Sequence, residues 1–125
     1  MIKETLTYTD FNGEERTEDR YFHMSKLEWL RFDRKYGGMQ EYISRAIRDN
    51  DEYAILNLLE ELVQTSYGEK SLDGVRFIKG PEITEKFTQT EGYSDMLIGF
   101  LTDTQKGIDF FNRLAPKDDI NTSTT

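Results

Sequence analysis

The chain contains no cysteine. A disulfide framework and any thiolate metal site are therefore excluded, and the composition fits a reducing compartment. Histidine occurs once, as His23, and no second histidine stands at metal-ligand spacing. No apolar run approaches the ~20 residues that a membrane-spanning helix needs. Met1-Ile2-Lys3-Glu4 leads into an alternating polar pattern, so no signal peptide is predicted. Proline occurs only at Pro81 and Pro116, each a helix delimiter. Positive charge is also short: 16 Lys and Arg face 24 Asp and Glu, for a net charge of −8. A phosphate backbone is repelled by such a field, which argues against nucleic-acid binding. The same charge favours solubility and opposes nonspecific self-association.

What is present is enough for one domain: 125 residues bury a single core without disulfides or metals. Neither an internal repeat nor a second domain is visible. Residues 2–9 alternate, with Ile2, Leu6 and Tyr8 on one face and Lys3, Thr5 and Thr7 on the other, which predicts a strand. Asn12-Gly13 signals a hairpin, because both residues accept the positive φ of a tight primed turn. Residues 15–24 return as the second strand. A lone hairpin is marginal in water, so it must pack on helices or pair with another chain. Its outer edges are open to strand addition.

Ser25 and Glu28 form a capping box that starts a first helix reaching Tyr36, where Gly37-Gly38 ends it. Leu27 and Leu30 mark one side of this helix; Trp29, Phe32 and Tyr36 mark another. Two apolar sides fit either a helix held between hairpin and core or an aromatic face left for a partner. A second helix spans 39–49, with Met39, Tyr42, Ile43, Ala46 and Ile47 on one face. Asp49-Asn50-Asp51 breaks it and caps a third, over 52–66, whose broad leucine band marks it as central. Residues 67–80 make a turn-rich connector, with an extended piece at 75–79 predicted to lie against the hairpin. Helices four and five are expected over 81–90 and 93–114, with Gly99 and Gly107 marking a close contact or a bend in the last. The fold class is thus α+β: an N-terminal β-hairpin followed by about five helices, in one domain over residues 1–116. Residues 117–125 are polar and without an apolar anchor, as expected of a disordered tail.

No constellation for chemistry stands out. Glu18 and Asp19 lie near His23, but no metal spacing accompanies them. Asp49-Asn50-Asp51 lacks the central glycine and closing glutamate of a calcium loop. Gly37, Gly38, Gly68 and Gly74 compose no phosphate-binding loop. Neither an enzyme nor a bound cofactor or metal is expected.

The order and spacing of several weak pieces carry more. Phe11-Asn12-Gly13, the Tyr21 to Leu30 junction, Gly37-Gly38 before Glu41-Tyr42-Ile43, the Ser66 to Lys79 connector and the closing Phe111-Asn112 to Pro116 together resemble the short tail assembly chaperones of long-tailed (siphovirus-type) bacteriophages. The resemblance covers about Tyr8 to Pro116. It implies a protein that binds the tape measure protein and keeps it soluble in the host cytoplasm during tail tube assembly. Such a protein is absent from the mature virion. The resemblance further implies self-association along the tape measure, and a longer form made by programmed frameshift that reaches the tail tube protein. It carries no catalytic residues. Trp29, Phe32 and Tyr36, followed by Tyr67 and Phe77, are the partner-binding candidates. A second reading, resting on the −8 charge alone, is an acidic DNA mimic that inhibits a host DNA-binding protein. A third, a metal-dependent enzyme built on His23, has no substrate to offer.

Overall fold

A computed structural model of the chain describes residues 1–116; the expected polar tail, 117–125, lies outside the described residues. Two layers form the fold, an antiparallel sheet and a helical layer on one of its faces. Strands β1 (Ile2–Thr9) and β2 (Glu15–Phe22) pair along their whole length, from Ile2↔Phe22 to Thr9↔Glu15. Period-two alternation sets this register: Ile2, Leu6 and Tyr8 turn toward the helices, while Lys3, Thr5, Thr7 and Thr9 face solvent.

The turn between them differs from the expected two-residue primed type. Gly13 takes φ 82°, and Asn12 is not among the residues with positive φ. Asp10 instead closes a longer loop, its carboxylate accepting the Asn12 and Glu14 amides at 2.9 and 3.0 Å. A side chain that satisfies two loop amides makes the longer turn affordable, and a single left-handed glycine completes it.

Helices α1 (Lys26–Lys35), α2 (Met39–Arg48) and α3 (Glu52–Ser66) follow. The capping box is realised: Ser25 Oγ accepts the Glu28 amide at 3.1 Å, and Glu28 accepts the Ser25 amide at 2.9 Å. Asp51 caps α3 by accepting the Ala54 amide at 3.0 Å.

The connector departs from expectation. Strand β3 (Tyr67–Lys70) follows α3 without a gap and pairs with β2. The expected extended piece shortens to β4 (Phe77–Ile78), which pairs with β3 and not with the hairpin. The hairpin thereby becomes a four-stranded sheet of order β1-β2-β3-β4. Gly68 is required there: a Cβ on it would stand 2.8 Å from the Ile78 carbonyl oxygen.

Helix α4 (Pro81–Thr88) begins at its proline. The predicted single helix over 93–114 is two, α5 (Glu91–Thr102) and α6 (Thr104–Leu114), making six helices among the described residues. The break falls at neither glycine but at Asp103, which is extended (φ −127°, ψ 91°). Gly107 is buried where α6 folds back onto α5, and a Cβ there would lie in ordinary contact with Phe100, 3.5 Å from its Cβ, so the return does not depend on the glycine.

Phe22, fully buried, joins the layers, its ring 5.6, 5.8 and 5.3 Å from those of Tyr67, Phe87 and Phe110. Lys79 pins the connector to the start of α1, donating to the His23 carbonyl at 2.7 Å and to the Glu28 carboxylate at 2.9 Å. Burial pulls that carboxylate upward, but the Ser25 amide and the Lys79 ammonium hold it below its ordinary range.

Candidate functional site

The aromatic side of α1 is turned inward. Phe32 is in the core at 4% exposure, and Tyr67 likewise at 3%. Trp29 is half-buried, its ring edge-on to Phe111 at 5.2 Å. Tyr36 packs between Phe32 and Tyr42 and donates its hydroxyl to Glu61 at 2.5 Å. Burial, and then that hydrogen bond, push the Tyr36 phenol far above its ordinary value. Phe77 is half-buried against the His23 ring at 5.9 Å. The structure therefore gathers Trp29, Phe32 and Tyr36 on the inner side of α1 and places Tyr67 and Phe77 in the sheet, with no open surface shared by the five.

His23 is structural in its contacts. Its backbone amide donates to the Ser66 carbonyl at 2.8 Å, and burial, then nearby positive charge, lowers its imidazole pKa. Among the described residues no group of His, Asp or Glu is arranged to hold a metal ion. Several acids are paired with cations in different parts of the fold: Asp10 with Arg16, Glu18 with Arg20, Glu28 with Lys79, Glu61 with Lys35 and Glu4 with Arg113.

Two concavities stand out among the described residues. A cleft of about 770 Å3 runs between Glu4–Thr7 of β1 and helices α5 and α6. Asp95, Lys106, Asp109 and the ion-paired Glu4 and Arg113 line it beside Leu6, Met96 and Phe100, so it carries both signs of charge over partly apolar walls. The second is a groove of about 570 Å3 whose walls come from α2, α3, the end of α5 and α6. Its floor is Leu58, Leu59, Leu62 and Phe100; its walls carry Ile43, Ile55 and Phe111. Ile47, Leu101 and Ile108 line the same groove yet remain 61%, 39% and 45% exposed.

This groove is the candidate site. Large aliphatic side chains held half out of water around a concave apolar floor suit a hydrophobic partner. Its lining has no imidazole, thiol or cation, so what it offers is burial of apolar surface. None of the five residues singled out from the sequence lines it. Ile43 and Ile47 were visible as part of the α2 stripe, and Ile108 and Phe111 as part of the last helical pattern. No local signal brings α2 against α6, because the Asp103 break that folds α6 back is a tertiary outcome.

The family model of the phage tail assembly chaperones matches residues 1–125, the full length of the sequence. No curated protein matches the chain, and no solved structure does.

Proposed function

Because the chain belongs to the phage tail assembly chaperone family, we propose that it binds the phage tape measure protein in the α2–α3–α5–α6 groove and keeps it soluble while the tail tube assembles. The observation that carries this reading is the trio Ile47, Leu101 and Ile108, exposed around an apolar floor. Completing the burial of such a side chain contributes about 1–2 kcal/mol, less than the ~1.5–3 kcal/mol of full burial because each is already partly covered. Binding at one groove is therefore weak. A long partner with many apolar segments raises the apparent affinity through multiple copies. The net charge of −8 keeps the loaded complex dispersed.

In this reading the protein is a non-enzymatic holder acting in the host cytoplasm and absent from the mature virion. It associates with further copies along the tape measure, and contact with the tail tube protein belongs to a frameshifted longer form. The test is co-expression with the tape measure protein encoded on the same genome, followed by pull-down from the soluble fraction. Wild type should render the tape measure soluble and co-purify with it. Ile47→Asp and Ile108→Asp should fold, as circular dichroism reports, yet lose both effects. Folded variants that solubilise as well as wild type would remove the groove from the reading. Absence of any binding by the wild type would remove the tape measure.

A further inference from the structure

The groove's occupant is constrained first by its backbone. The walls are helical apart from Asn50 and Asp51, and away from the helix starts at Glu52 and Thr104 their amides and carbonyls are bonded internally; most of the lining side chains are apolar. An extended segment buried there loses water from its N–H and C=O groups and gains no partner, at about 1–3 kcal/mol for each. A helical segment brings its backbone hydrogen bonds with it. The α3 wall runs from Asp51 to Leu62, about 16 Å at the helical rise, or three turns. An occupant of that length presents an apolar stripe at i, i+3 or i+4, and i+7.

The second constraint is charge. Among the lining residues only Asp51 and Glu52 are charged; both are acidic, and both sit at the same end of the groove. Asp51 uses one carboxylate oxygen to cap α3. Glu52 is exposed and, among the described residues, its side chain has no hydrogen-bond or ion-pair partner. Glu4, Glu18, Glu28 and Glu61, by contrast, each have a cation. One end of an otherwise uncharged apolar groove is thus left anionic.

We infer that the groove selects an amphipathic helix of about three turns whose apolar stripe ends in lysine or arginine, the cation lying over Asp51 and Glu52. This rests on the groove being the docking site. It deepens that reading by naming which segments of a long partner are held, and in which direction.

The probes are synthetic helical peptides sharing one leucine stripe, with lysines or with glutamates beyond its ends. They are titrated onto the full chain by calorimetry at low and high salt. Lysine peptides should bind about 2–30-fold more tightly than glutamate peptides at low salt, as two exposed charge contacts allow. That ratio should shrink at high salt. Asp51→Asn, which keeps an oxygen to cap α3, combined with Glu52→Gln should bring the ratio close to one while leaving the salt-insensitive apolar affinity in place. Equal binding of both peptides to wild type, or a preference that survives in the double variant, overturns the inference and leaves the groove reading standing. A non-helical peptide of the same composition binding equally well overturns the helical part. If no peptide binds, and Ile47→Asp changes nothing, both readings fall together.

Discussion

Two glycines in α5 offer a test in which the same substitution should have opposite signs. Replacing glycine by alanine inside a helix ordinarily gains about 1 kcal/mol, since alanine loses less backbone entropy. At Gly99 a Cβ meets nothing within 4 Å. Gly99→Ala should therefore stabilise the protein by about 0.5–1 kcal/mol, roughly 2–6 °C in melting temperature for a domain of this size. At Gly92 a Cβ stands 2.9 Å from Cδ1 and 3.0 Å from Cε1 of Tyr8. That ring has little room to retreat. It is 7% exposed, sits on β1, and its hydroxyl donates to Glu18 at 2.7 Å. Forcing an extra methyl group into such a contact costs about 1–3 kcal/mol. Gly92 lies in the first turn of α5, where the propensity gain is smaller, so Gly92→Ala should come out destabilised by up to ~2 kcal/mol. The two variants should differ by about 1–3 kcal/mol in urea unfolding monitored by circular dichroism. In a Tyr8→Ala background the clash is gone and Gly92→Ala should turn stabilising, a non-additivity of at least ~1 kcal/mol. Equal stability of the two single variants would refute the close packing of α5 on β1, and with it the placement of the helical layer on the sheet.

Two further outcomes follow from the core and its charges. Phe32→Ala should lose about 3–5 kcal/mol, because the ring is buried among core side chains, whereas Leu27→Ala on the exposed side of α1 should stay within ~0.5 kcal/mol; similar losses in urea unfolding would mean that α1 presents the other face. Stability should fall on acidification in two stages. The His23 imidazole is lowered in the fold, so its contribution is complete above the ordinary value of about 6.5 and is lost as pH falls through the lower folded value. Glu28, also lowered, contributes fully above about 4.3 and loses its contribution as pH falls through its own folded value. His23→Gln should flatten the first stage of the urea midpoint against pH; a difference between wild type and variant that stays constant from neutral to mildly acidic pH would show that His23 does not contribute to it.

Much of this protein is written locally. The alternation of Ile2, Leu6 and Tyr8 against threonines decides which face of β1 meets the helices, because a one-residue slip would turn every apolar side chain to water. The Ser25–Glu28 box, the Gly37-Gly38 stop and the Asp51 cap set helix ends through hydrogen bonds only a few residues long. The absence of cysteine and the spacing of a handful of motifs pointed away from thiolate chemistry and toward the chaperone family.

Tertiary structure decided the rest, where the energetics are non-local. Tyr67–Lys70 continues as a strand because β2 offers it a ladder, and no property of four residues announces that. The last helix breaks at Asp103 because folding back lets Phe110 and Leu114 reach the core, a gain larger than one uninterrupted helical turn. The groove exists only through that return, with Leu101 and Ile108 brought opposite Ile47. The aromatics of α1, conspicuous in the sequence, were drawn inward, Phe32 fully and Trp29 and Tyr36 in part, because a large ring contributes more than a small side chain when it packs against its neighbours. Smaller aliphatic side chains on α2, α5 and α6, Ile47, Leu101 and Ile108, stay partly in water around the groove.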